Sequence, residues 1–195
     1  MQGADMRVLI ACEESGRVRR AFRGYGHDAW SCDLLPARDE SPFHIRDDVR
    51  AYLRRCRAAG VKWDILIAFP PCTHLSVSGA RWFKNKVSEQ AEALMFVDFL
   101  LRADVPRIAL ENPVSIISTR IRKPDQIIQP WQFGHGETKT TCLWLKNLPP
   151  LVPTDVVKGR EGRVWKMGPS PERAMLRSTT FLGIADAMAE QWGKL

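Results

Sequence analysis

Two short stretches hold residue types that can do covalent chemistry. The first is Phe69-Pro-Pro-Cys72, which follows the apolar run Ile65 to Phe69. That run has the length and composition of a buried strand. Pro70 and Pro71 forbid further ladder pairing, so Cys72 falls just past a strand end, in a loop rich in small polar residues. A thiol there can be partly exposed and activated as a nucleophile. The competing reading is a structural cysteine in a tight turn. The second stretch is Leu110-Glu-Asn-Pro113, thirty-nine positions on from Cys72 at its Glu111. Arg107 to Leu110 again reads as a short strand stopped by proline, and it delivers Glu111 and Asn112 to its C-terminal end. A carboxyl group beside a nucleophile suits acid catalysis.

The elements that must position these residues alternate between strand and helix. Arg7 to Cys12 is β-rich and ends at Glu13-Glu14-Ser15-Gly16. Arg17 to Arg23 places Val18, Ala21 and Phe22 on one helical face, with Ser15 as N-cap and Gly24 and Gly26 as stops. His27 to Asp33 reads as a second strand ending in an acid. This order opens a nucleotide-binding βαβ unit, although no G-x-G-x-x-G is present. Asp33, seventeen positions after Gly16, stands near where a ribose-binding acid belongs; an acid ending a strand is also often simply solvated. Asp47-Asp48-Val49 precedes a helix from Arg50 to Ala59. Ser88 to Arg102 is expected as an amphipathic helix packing Ala91, Leu94, Met95, Val97, Phe99 and Leu101 inward. The segment from Ile116 to Phe133 reads as irregular, Glu137 to Leu145 as a strand, and residues 154–172 as a mobile basic loop. Arg173 to Trp192 reads as a closing helix broken near Gly183. The expectation is an α/β fold with a mostly parallel sheet, helices on both faces, and one domain over residues 1–195. Cys72 and Glu111 then share a rim.

The 195 residues carry a net charge of +7, which favours a polyanionic partner or an anionic substrate. Basic residues cluster at Arg17–Arg20, Arg50–Arg57, Arg120–Lys123 and Lys158–Lys166. Five scattered cysteines without a Cys-x-x-Cys pair read as free thiols, and no metal site is expected. No apolar run reaches transmembrane length and the N-terminus lacks the pattern of a signal peptide, so a cytoplasmic location and no membrane partner are expected.

The pairing of Phe69-Pro-Pro-Cys72 with Leu110-Glu-Asn-Pro113 resembles the catalytic signatures of the cytosine-C5 methyltransferases, and is most similar to small phage and prophage proteins of that type. The resemblance implies a Rossmann-like fold dependent on S-adenosylmethionine, with Cys72 as nucleophile, Glu111 as acid and Asn112 orienting the loop. It assigns cofactor contacts to Cys12, Glu13, Ser15, Gly16, Asp33, Leu34, Asp48 and Pro70. Substrate contacts fall to Pro71, Thr73, Ser76, Lys139 and Thr141, with Thr138-Lys-Thr-Thr141 as a degenerate polar strand motif. Arg177 to Ala189 resembles the C-terminal segment that returns to the cofactor. Lys139 or an arginine of 120–123 would hold a phosphate, and Trp82, Phe83 and Trp131 are candidates to stack on a base. The sequence departs from the family pattern in four places. The cofactor loop is Cys-Glu-Glu-Ser-Gly, Thr73 replaces the usual glutamine, Pro113 replaces valine, and fewer than thirty residues separate Leu145 from Arg173. The last leaves too little chain for the usual target-recognition domain. The implied substrate is cytosine in DNA or a free cytosine nucleotide. The rival readings are a catalytically silent nucleic-acid-binding module, and an amino-methyltransferase, which would want an aromatic residue where Cys72 stands.

Overall fold

The structure, a computed structural model, describes residues 5–77, 86–166, 168 and 170–195. Seven strands form one sheet: β1 (Arg7–Ala11), β2 (Asp28–Asp33), β3 (His44–Arg46), β4 (Ile65–Ala68), β5 (Arg107–Asn112), β6 (Gln126–Ile128) and β7 (Thr141–Lys146). Their order is β3-β2-β1-β4-β5-β7-β6. All pairs from β3 to β5 are parallel, and β7 runs antiparallel to both its neighbours. This is the expected Rossmann-like α/β sheet.

Period-two alternation sorts the strand residues onto two faces. Val8 and Ile10 of β1 and Ile65 and Ile67 of β4 face helices α1 (Arg17–Gly24) and α7 (Leu182–Trp192), where Phe22, Met188 and Trp192 complete the core. Leu9, Ala11, Leu66 and Ala68 face the other way. There α2 (Val49–Ala58) and α3 (Val87–Leu101) bring Val49, Cys56, Val97 and Leu100. Burial on both faces explains why β4 reads as an unbroken apolar run.

The chain winds outward from β1 to β3, then crosses back to β4 beside β1. The switch point thus lies between β1 and β4, and in such sheets the crevice beyond the strand C-termini binds ligands. Cys72, Glu111, Asn112 and the turn after β1 sit on that rim.

Several boundaries differ from the sequence reading. His44 to Arg46 forms β3, too short to give a periodic signal. The stretch from Ile116 to Phe133 holds the single-turn helix α4 (Ile117–Arg120), strand β6 and a 3-10 turn at Pro130–Gln132. Residues 137–140 are not part of β7. Residues 154–172 contain the short helix α5 (Arg163–Lys166) and are bridged to the body at Asp155 and Glu161. The closing segment is two helices, α6 (Pro171–Ser178) and α7, and its break lies at Thr179–Phe181 instead of Gly183. Gly183 is where α7 meets the Phe133 carbonyl; a Cβ there would overlap it.

The largest correction concerns α3. Only Val97 and Leu100 are buried; Ala91 and Met95, expected inside, are exposed. Apolar residues surround this helix on all sides, so its composition alone cannot say which face packs. Among the described residues no helix is long and apolar enough to cross a membrane.

Candidate active site

A cleft of about 1020 Å³ opens on the C-terminal rim, between the turn after β1, the loop after β4, the end of β5, residues 138–140 and α6. Its walls include Cys72, Glu111 and Asn112. Adjacent strands explain the convergence. Ala68 of β4 pairs with Leu110 of β5, so the residues that follow each emerge side by side.

Asn112 ties the two stretches together. Its Nδ2 donates to the Pro70 carbonyl at 2.9 Å, and its Oδ1 is buried without a partner. The loop itself is closed by Leu75 N and Ser76 N, both donating to the Cys72 carbonyl at 3.0 and 2.9 Å. A second staple joins it to the segment after β5, through Val77 N to the Val114 carbonyl and Ile116 N to the Leu75 carbonyl. The prolines stop the strand, and these bonds fix where the thiol goes next.

Burial pushes the Cys72 thiol up, while the positive charges of Arg177 and Lys139 pull it back and Glu111 opposes them. Burial also pushes the Glu111 carboxyl up, against the pull of Lys139. A carboxyl raised in this way can remain protonated and donate.

The turn after β1 is organised by Glu13. Its buried carboxylate accepts from Val18 N at 2.7 Å, Arg19 N at 3.3 Å and the Ser15 hydroxyl at 3.2 Å. Glu13 therefore caps α1 from behind, the part expected of Ser15, whose hydroxyl accepts from Arg17 N at 3.3 Å. The helix N-terminal donors are thus taken by the protein's own carboxylate. Gly16 is the N-cap residue at φ 67°, and a Cβ there would meet the Arg19 guanidinium. Cys12 also turns through a left-handed conformation, φ 59°. Arg19 is buried and reaches past the turn to Ser31 Oγ at 2.8 Å and to Asp39 at 2.5 Å. Arg20 joins it on Asp39.

Cys12, Glu13, Ser15, Asp33 and Pro70 line the cleft, as do Pro71, Thr73, Ser76 and Lys139. Four assigned residues do not. Leu34 is exposed, and its neighbour Leu35 lines the cleft instead. Gly16 is covered by Arg19. Asp48 caps α2, its Oδ1 accepting from Ala51 N at 2.9 Å. Thr141 is buried, with its hydroxyl donating to the Lys139 carbonyl at 3.0 Å.

Lys139 donates from Nζ to the Arg177 carbonyl at 2.6 Å, clamping the C-terminal end of α6 against the cleft. That placement brings Arg173 and Arg177 into the wall. The arginines of 120–123 are elsewhere: Arg122 is bonded to Asp125 and to the Leu145 carbonyl, and Arg120 lies at a different cavity. Trp131 does not line the cleft, and Arg160 covers its ring at 3.7 Å from the centroid. Trp82 and Phe83 lie outside the described residues.

Sequence reasoning did not find Arg38, which lines the cleft, pairs with Glu14 and donates to Thr179 Oγ1 at 3.2 Å. It also missed Lys86, whereas Thr179 and Thr180 fall within the segment from Arg177 to Ala189 that the resemblance brought toward the cofactor. No short motif marks Arg38 or Lys86; Arg38 is held in the wall by Glu14 and by Thr179 just beyond α6.

The cleft is divided by charge. Glu13, Glu14 and Asp33 stand at the ends of β1 and β2, with Arg38 paired to Glu14. Lys139, Arg173 and Arg177 stand beyond β5 and β7.

No family model matches the chain, and no curated protein matches it. Among solved structures it is similar to a mutant DNMT2 of Spodoptera frugiperda, at 13% identity and a TM-score of 0.49. That likeness covers 80% of this chain and 57% of the other, so the chain spans little more than half that protein's length.

Proposed function

We propose that the protein transfers a methyl group from S-adenosylmethionine to C5 of cytosine through a covalent adduct at Cys72. The observation that carries this reading is that Cys72, in the loop after β4, and Glu111, near the end of the adjacent β5, line one cleft, with Asn112 bonded across to the Pro70 carbonyl. The residues fit the cofactor: a sulfonium-bearing ligand is cationic, and the half of the cleft under β1 and β2 holds three acids against one cation, Arg38, which pairs with Glu14. Cys12, Glu13, Ser15, Asp33 and Pro70 would hold it, with Leu35 in place of Leu34. Glu13 already occupies the α1 N-terminus, so the ligand's carboxylate must find other donors. Bound there, S-adenosylmethionine supplies an electrophilic methyl group.

The chain's own residues do the rest. Cys72 Sγ, as thiolate, forms a bond to C6 of the base, and the electron pair displaced from the C5–C6 double bond makes C5 nucleophilic. Glu111 places its proton at N3, where negative charge would otherwise develop. After C5 is methylated its proton leaves to solvent, the C6–Sγ bond breaks as the C5–C6 double bond re-forms, Cys72 is restored as thiolate, and the N3 proton returns to Glu111. Asn112 holds the Pro70 carbonyl and so fixes the distance between acid and nucleophile. Lys139, Arg173 and Arg177 offer cations for a substrate phosphate. Lys139 is partly committed to α6, so Arg177 is the freer of the two named charges near Cys72. Duplex DNA would have to present its cytosine flipped from the stack.

The test is incubation with labelled S-adenosylmethionine and DNA, RNA or free cytosine nucleotides, followed by nucleoside mass spectrometry. The reading expects 5-methylcytosine from at least one substrate and none with Cys72→Ser. Full activity in Cys72→Ser would sink the covalent route. A nucleic-acid-binding module without transfer is the second reading, favoured by the carboxylate that already fills the cofactor turn. It would show as DNA binding with no label transferred.

A further inference from the structure

A second cavity, of about 770 Å³, lies on the opposite rim, near the N-terminal ends of β4 and β5 and between the C-terminal halves of α2 and α3. Its walls are apolar: Leu53, Leu94, Met95, Phe99 and Ile121. Its charged residues are mostly cationic: Arg54, Arg57, Lys62, Arg102 and Arg120, against Asp98 and Asp104. Both acids are already used, Asp98 by Arg102 at 2.8 Å and Asp104 by Lys62 at 3.6 Å. Three guanidinium groups, of Arg54, Arg57 and Arg120, are left without a carboxylate partner among the described residues. Arg54 lies 5.7 Å above the Phe99 ring, so it is held over the apolar wall. Trp63 also belongs to the wall; it is 4% exposed and its Nε1 is buried with no acceptor. From this cavity an exposed apolar stripe runs back along α3 through Met95, Ala91 and Val87, at 70% exposure for Met95 and 69% for Val87.

We infer that this face docks an acidic amphipathic helix of a partner protein. Apolar side chains of that helix would cover Met95, Leu94 and Leu53, and its flanking carboxylates would meet Arg54, Arg57 and Arg120. The two alternatives fit less well. A nucleic-acid backbone supplies negative charge but leaves the apolar stripe in water, and such interfaces are polar. A second copy of this chain brings the same +7 surplus to the contact. The inference does not depend on the transfer chemistry, since the site shares no residue with the cleft.

The experiment uses the whole protein and a fluorescein-labelled designed peptide, with leucines at i, i+3, i+4 and i+7 and glutamates elsewhere. Fluorescence anisotropy should give a Kd on the order of micromolar. Met95→Asp, and the double variant Arg54→Glu with Arg57→Glu, should each weaken it at least about tenfold. Unchanged thermal melts would show that these surface variants fold. A peptide with lysines replacing the glutamates should not bind. The inference is overturned by no binding, by equal binding to the variants, or by equal binding of the lysine peptide. It is also overturned if a single-stranded oligonucleotide displaces the peptide and loses affinity in the same variants. Sedimentation showing a dimer that Met95→Asp dissolves would make the face a self-interface and overturn it too. None of these readouts uses methyl transfer, so its outcome stays separate from that of the proposed function.

Discussion

At Glu111 the enclosure that opposes ionisation also prepares a proton donor. An ordinary carboxyl is ionised at neutral pH, whereas this one is pushed up by burial. Its pH dependence has a definite sign. A raised carboxyl leaves folding undisturbed below its unfolded value, and stability is lost as pH climbs through the raised folded value. Glu111→Gln does not titrate, so its stability relative to the natural protein should improve between pH 4 and pH 8; thermal unfolding across that range checks this. In the transfer assay the same variant should lose about 10²–10⁴-fold in rate, the usual worth of a positioned acid. Cofactor affinity should change little, because Glu111 belongs to the other half of the cleft. At Cys72 the sequence was legible for a simple reason: proline is one of few residues whose local rule overrides context. At Arg38 or Thr179 no local rule operates, and their place in the wall depends on contacts more than a hundred residues apart along the chain.

The elements divide along the same line. β1, β4 and β5 were readable because burial on both faces gives apolar runs closed by breakers. β3 and β6, three residues each, exist through pairing with a neighbour and carry no period of their own. For α3 the spacing identified a helix yet not its buried face, since apolar residues stand on every side, Val87, Ala91 and Met95 on the exposed one. The turn after β1 shows a different failure. A serine before a helix is the usual cap, and nothing local signals that a glutamate four places before the helix start will reach in and replace it. That turn is further held by Arg19, buried and hydrogen-bonded to Ser31 and Asp39. Burial pushes the Asp39 carboxyl up, but the hydrogen bonds from Arg19 and Arg20 outweigh it and hold it at about 2. A lowered carboxyl stabilises the fold above its ordinary value near 3.8, and that contribution is lost as pH falls through about 2. Asp39→Asn should therefore be destabilised relative to the natural protein at pH 6, and the difference should shrink steadily between pH 4 and pH 2. Urea unfolding at fixed pH steps measures it. A constant difference would mean that the clamp acts through shape instead of charge.

Over the whole molecule, charge is distributed with as much order as apolar surface. The surplus of +7 is not spread evenly: one rim gathers guanidinium groups over an apolar groove, and the other places most of its acids at one end of a cleft and most of its cations at the other. Net charge was readable from the sequence, but its partition was not, because it depends on α6 folding back beside β7 under the hold of Lys139. For the transfer proposed here, that partition bears on turnover. Giving up a methyl group converts a sulfonium into a neutral thioether, so the spent cofactor carries one positive charge fewer than the fresh one. Asp33, and Glu14 as shared with Arg38, attract the fresh form and have less hold on the spent form. Product inhibition should accordingly be weak at low ionic strength and become relatively stronger as salt screens the acids. The inhibition constant of S-adenosylhomocysteine, divided by the dissociation constant of S-adenosylmethionine, should fall as salt is raised. If the proposed transfer takes place, a cleft lined in this way would release the spent cofactor more readily than the fresh one.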